Sequence, residues 1–190
     1  MHARKLGIVF LTFASVGAIS AESPESTNKG IVRFSPARFS SLPPSIKLEL
    51  DRRGCTIPQY WGAKAPLNVI SGSFAKAGQK DYAVLCSRDG ASEIEVFWGG
   101  TARCPSPVPG STQSDETYLQ TGSRGDFEYS RAIDEAHLAR LSSIAAYQQY
   151  AGGPKAPSNN HEGIENTYIG KGSTIFYCHR GSWVELPGSD

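Results

Sequence analysis

Charge imbalance is what this chain most clearly lacks. Lysine and arginine total 19 and aspartate and glutamate 18, in 190 residues. A protein that holds nucleic acid by electrostatics needs a clear basic excess, so that class of partner is excluded. Long apolar runs are missing as well. Past residue 21 no stretch approaches the ~20 apolar residues of a membrane-spanning helix, so no membrane span is expected in the mature chain. The familiar catalytic frames are also absent: G-x-S-x-G, H-E-x-x-H, the Walker A frame and G-x-G-x-x-G do not occur. His161-Glu162 is followed by Gly163-Ile164-Glu165, which reads as a turn and not as a metalloprotease helix.

What is present begins with a leader. Arg4 and Lys5 precede an uncharged, mostly apolar run from Leu6 to Ala18, and Ser20 and Ala21 follow. A basic start, a short apolar run and small residues define a secretory signal peptide over 1–21. Thr12, Ser15 and Gly17 interrupt the run too often for an anchor. Export to the periplasm or the extracellular space is the expectation. Without Arg4 and Lys5 the remaining 169 residues carry 17 basic and 18 acidic side chains.

Export changes how the cysteines read. Cys55, Cys86, Cys104 and Cys178 all follow the leader, and four is an even number. In an oxidising compartment they suggest two disulfides. Intervals of 30, 17 and 73 residues fit no compact zinc pattern. Three connectivities exist. Cys55–Cys86 with Cys104–Cys178 is favoured, because it ties a helix end to a core strand and pins a proline-rich loop.

Residues 22–40 read as a flexible lead-in, with a short strand at 31–34, and 41–190 as one disulfide-containing domain. Leu42, Ile46 and Leu50 recur every four residues, which predicts a helix over 43–53 with Ser41 as cap and Gly54 as stop. Strands are expected at 68–74, 81–88 and 92–98. Both faces of 81–88 are largely apolar, so it is the central one. Glu93 and Glu95 share a face of the next strand, which is expected to be partly solvated. Gly99 to Thr117 reads as a long loop and Ser130 to Ala151 as the main helix, stopped by Gly152-Gly153-Pro154. His137 is expected to pack on that helix's apolar stripe. Further strands are expected near 168–169, 174–179 and 182–186.

Two stretches echo one another. Gly72-Ser73-Phe74, a loop, then Gly78-Gln79-Lys80-Asp81 lead into Tyr82-Ala83-Val84-Leu85. Asn160 to Asn166 likewise leads into Thr167-Tyr168-Ile169, and a tryptophan closes each unit, Trp98 or Trp183. The first stretch resembles the FG-GAP repeat of integrin-alpha-like (VCBS) proteins, on Gly72, Phe74, Gly78 and Asp81. That family carries calcium-binding acids early in the loop, where this chain has Ala75, Lys76 and Ala77. The resemblance implies propeller-blade-like hairpins. A closed propeller needs at least about four blades, and two units are too few. The chain as a whole looks like bacterial exported proteins that carry such a module. The expected fold is α+β: mainly antiparallel sheet with two flanking helices, not a complete propeller.

The site candidates follow from residue type. Asn160, Glu162 and Glu165 offer oxygens to a cation, and calcium is the one candidate cofactor. Tyr60, Trp61, Trp98 and Trp183 are candidates for a binding surface. Cys178 and His179 are adjacent on a strand, point to opposite faces and form no catalytic pair. The leading functional expectation is an exported, non-enzymatic protein that binds an envelope protein or cell-wall glycan, an inhibitor or immunity-type protein being one version. The alternative is an extracytoplasmic hydrolase using His161, Glu162 and Glu165.

Overall fold

The computed structural model describes residues 30–122, 125–150 and 160–188, without the side chains of 146–150. The expected signal peptide and the first part of the lead-in, 22–29, lie outside the described residues. In chain order the strands and helices are β1 (Arg33–Phe34), α1 (Pro44–Arg52), β2 (Ile57–Pro58), β3 (Val69–Gly72), β4 (Asp81–Arg88) and β5 (Ala91–Phe97). There follow β6 (Gln113–Ser114), β7 (Leu119–Thr121), β8 (Phe127–Tyr129), β9 (Arg131–Ala136) and α2 (Leu138–Tyr150). The last three are β10 (Gly163–Tyr168), β11 (Gly172–His179) and β12 (Ser182–Pro187).

Two four-stranded antiparallel sheets carry the fold. The first runs β3-β4-β5-β6 and the second β9-β10-β11-β12, each in simple meander order. Two short pairs, β1-β2 and β7-β8, complete it. The expected α+β, mainly antiparallel class is what is observed.

Strand alternation divides the core into layers. Tyr82, Val84 and Cys86 of β4 face Leu42, Leu50 and Ile57, on the side of α1. Ala83 and Leu85, with Ile94 and Val96 of β5, face the other way and meet Ile133, Ile164 and Phe176 of the second sheet. The far face of the second sheet, Ile175, Tyr177 and Leu186, is covered by Leu141 and Ile144 of α2. The order is therefore α1, first sheet, second sheet, α2. Both disulfides join neighbouring layers. Cys55–Cys86 ties the end of α1 to β4, and Cys104–Cys178 ties the segment after β5 to β11, with Cα separations of 5.4 and 5.9 Å. Both follow the favoured connectivity. Among the described residues no helix is long and apolar enough to cross a membrane.

One buried cation links the two sheets. Arg131 is fully buried. Its Nε donates to Asn166 Oδ1 (2.9 Å), Nη1 to Ser92 O and Oγ (both 2.9 Å), and Nη2 to Ser111 O (2.7 Å). The guanidinium lies 4.7 Å from the centre of the Tyr118 ring. Burial pulls its pKa down from the ordinary arginine value, against the pull of Tyr118, Tyr129 and Asp115.

Several expectations need correction. The main helix does not start at Ser130. Residues 131–136 are β9, paired along their length with β10, and the helix begins at Leu138; its expected end at Ala151 and the stop at Gly152-Gly153-Pro154 lie outside the described residues. Ser130 donates from its hydroxyl and its N–H to Tyr118 O and caps nothing. His137 stands between the two elements and is 65% exposed, not packed. From Gly30 onward the lead-in belongs to the fold. Ile31 and Phe39 are buried, and Arg33 donates to Asp115 Oδ2 at 2.6 Å. Helix α1 has Pro43, not Ser41, at its capping position, while Gly54 follows it at φ +69° as expected. The face of Glu93 and Glu95 is partly solvated at Glu93, as expected, and closed at Glu95. Glu95 is 3% exposed and accepts from Arg53 at 3.0 Å, and Glu93 pairs with Arg88.

The 99–117 segment is more ordered than its composition suggests. Ser106 Oγ accepts from Val96 N (2.8 Å), Ser111 Oγ from Ile94 N (3.0 Å), and Val108 N donates to Ile94 O (2.9 Å). Val108 is buried in the core between the sheets. Buried backbone amides must find partners, and here side-chain hydroxyls supply them where no neighbouring strand does.

Replacing Arg131 by methionine keeps most of the volume but strands the acceptors on Ser92, Ser111 and Asn166. The Arg131→Met variant should lose about 1–3 kcal/mol of stability for each acceptor left without a donor, read from the urea midpoint.

Candidate functional site

The glycine-phenylalanine loop closes on one carboxylate. Phe74 is buried in the core between the sheets, and Gly78 turns the chain at φ +77°. Asp81 is fully buried. Its Oδ2 accepts from Phe74 N (3.0 Å) and Ala75 N (3.3 Å), and its Oδ1 from Gln79 Nε2 (2.7 Å) and Gly99 N (2.9 Å). Four donors occupy the oxygens that a cation would need. Asp81 closes the loop and ties it to the end of β5.

The 160–165 segment does not assemble as expected. Asn160 N donates to the Tyr177 hydroxyl at 3.3 Å. His161 is buried, lies flat on the Tyr177 ring with centroids 4.3 Å apart, and donates from Nδ1 to Glu162 O at 2.9 Å. Burial raises the Tyr177 phenol above its usual range, opposed by the backbone at Asn160 and His161. Glu165 lies on the α2 side of β10, where it accepts from Arg140 (3.2 Å) and from Ser173 Oγ. Glu162 turns the other way, toward β3, and accepts from Ser73 N at 2.8 Å. Asn160, Glu162 and Glu165 therefore do not form one ligand set.

Glu162 has other company. Its Oε1 stands 3.2 Å from His137 Nδ1, and Glu135 Oε2 stands 3.8 Å from the same nitrogen. One donor atom from each of the three residues lies within 4.8 Å of the others. Glu135 reaches the cluster because Arg131, Ile133 and Glu135 share one face of β9. Its carboxylate accepts from the Ser71 backbone. Burial first, then the charge of Glu162, pushes the Glu135 carboxyl up from its ordinary value, and His137 opposes them. Gly72 makes room: a Cβ there would stand 2.7 Å from Glu162 Oε2. The one sequence signal for this group is Glu135-x-His137, two residues apart. They share a side only on extended chain, and the helical reading of 130–151 concealed it.

The four candidate aromatics form two separate pairs. Trp98 and Trp183 meet with ring centroids 5.9 Å apart and pack against the core between the sheets, and Trp183 Nε1 donates to Pro105 O at 2.8 Å. They are half-buried beside the Cys104–Cys178 bond and support the fold. Tyr60 and Trp61 meet edge to face at 5.5 Å, and Trp61 is 53% exposed. They line a groove of about 370 Å³ with Val32, Phe34, Arg38 and Lys64. At Gly30 this groove adjoins a second one lined by Leu119, Asp126 and Phe127. Phe127, 63% exposed, was not singled out in the sequence. Its position depends on the short β7-β8 pair, which no long period announces.

Among the described residues all four cysteines are oxidised, so no thiol nucleophile is available. No family model, curated protein or solved structure matches the chain.

Adding a methyl group at Gly72 crowds both Glu162 and the buried Phe74 ring, which a Cβ would meet at 2.7 Å. Gly72→Ala should cost about 1–3 kcal/mol in a urea melt. Gly90→Ala is the comparison, since a Cβ there meets nothing and only its φ of +79° is strained.

Proposed function

We propose that this is an exported, non-enzymatic binding protein that engages a protein partner of the cell envelope through the Tyr60–Trp61 groove. The observation that carries the reading is the exposed aromatic and aliphatic side chains around two adjoining concavities: Trp61, Phe127 and Val32. A large apolar ring held at the surface is the commonest anchor of a protein interface. Val32 and Phe127 extend the surface beyond a flat sugar-stacking platform, which favours a protein over a glycan. Lys64 at the rim suits a partner segment with an acidic residue beside its apolar one.

Export to the periplasm or the extracellular space rests on the signal-peptide pattern of residues 1–21, and two disulfides accord with an oxidising compartment. An inhibitor or immunity-type role is the narrower version of the same reading. The likeness to FG-GAP modules is part of the proposal, supported by two four-stranded meanders of the kind that make propeller blades. The hydrolase alternative relied on His161, Glu162 and Glu165 acting together, and those side chains have separate surroundings.

Capture from envelope extract should be compared between the natural chain and a Trp61→Ala, Phe127→Ser variant. A specific protein retained by the first, with its Kd weakened about 30-fold or more by the substitutions, is the expected result. Equal retention by both proteins would remove the groove from the reading. Trp61-dependent sedimentation with purified cell-wall glycan, and no protein captured, would replace the protein partner by a glycan.

A further inference from the structure

Independently of the groove, the geometry points to a binding site for a zinc-type divalent cation formed by Glu135, His137 and Glu162. Three elements converge there: the end of β9, the link into α2, and the residue before β10. The donor chemistry selects the metal. One imidazole nitrogen with two carboxylate oxygens suits zinc and its neighbours, whereas calcium takes six to eight oxygens and magnesium retains water. The spacing agrees. Ligand atoms about 2.0–2.2 Å from a tetrahedral zinc lie about 3.3 Å apart. His137 Nδ1 is 3.2 Å from Glu162 Oε1 and 3.8 Å from Glu135 Oε2.

Charge supplies a second argument. Glu135 and Glu162 would relax apart if they were free to do so, yet β3 and the residue after it hold both: the Ser71 backbone on Glu135 and Ser73 N on Glu162. Among the described residues the one ion-pair partner of either carboxylate is His137. Two carboxylates against one imidazole leave net negative charge whether or not the ring is protonated. A divalent cation neutralises it. These backbone contacts are the outer support that fixes the orientation of metal ligands. His137 is 65% exposed, which leaves a coordination position open to water or to a group on a partner. The remaining arginine of the area, Arg140, is directed to Glu165 on the opposite face of β10.

The test uses tag-free protein treated with chelator and dialysed, then titrated with zinc chloride or calcium chloride in a calorimeter, with thermal melts alongside. One equivalent of zinc should bind and raise the melting temperature, since a ligand of the folded state must stabilise it. His137→Ala and Glu162→Gln should each weaken zinc binding by about 100-fold or more. Glu165→Gln, on the other face, should bind as the natural chain does. Glu135→Gln replaces either variant whose far-ultraviolet spectrum or urea midpoint departs from the natural chain's. Absence of saturable zinc binding, zinc retained at full affinity without His137, or stabilisation by calcium alone would each overturn the assignment.

Discussion

A buried guanidinium dictates how the two sheets meet. Arg131 has no water to fall back on, so every donor it carries must find an acceptor inside. Those acceptors come from both sides: Asn166 on its own sheet, Ser92 and Ser111 on the other. Asn68 adds a second link, taking the N–H of Ile133 and giving its own to Pro58 O. Directional bonds of this kind fix registration where apolar surfaces alone would permit sliding. The apolar side chains around them supply the bulk of the burial, and the polar contacts decide which arrangement that burial adopts.

The position of β9 follows from this anchoring, and the cluster at its far end follows from β9. With Arg131 at the first position of the strand, Ile133 enters the shared core and Glu135 emerges at its margin. The chain then leaves the sheet at His137 and starts α2. Glu162 approaches from the neighbouring strand over a glycine. The candidate cation group thus lies at the rim of the junction, where the second sheet supplies its three side chains and backbone at the end of the first holds two of them.

Local patterns made much of this architecture legible. Strand β4 matches the expected 81–88 because apolar residues on both faces leave it no surface position. Leu42, Ile46 and Leu50 mark α1, and Asp89-Gly90 and Arg180-Gly181 mark tight turns, all four residues at positive φ. The hairpins β4-β5 and β11-β12 turn on those two pairs, whereas the polar echo at 160–166 falls just before and within β10. What escaped the sequence depends on distant partners. Arg131 to Ala136 carries helix-compatible residues and becomes a strand because β10 pairs with it. Trp98 and Trp183 pack on each other and stay partly exposed, a pairing that no local pattern announces. Glu162 was singled out, but its companions were concealed by that same misread segment.

The serines that serve β5 have a consequence for self-association. A strand edge with free amides is a template on which another chain can continue the sheet. Ser106 and Ser111 occupy the amides of Val96 and Ile94 with hydroxyls, and a hydroxyl presents no repeating ladder of its own. Strand addition therefore ends at that margin. The width of the first sheet is set by two side chains as much as by its backbone.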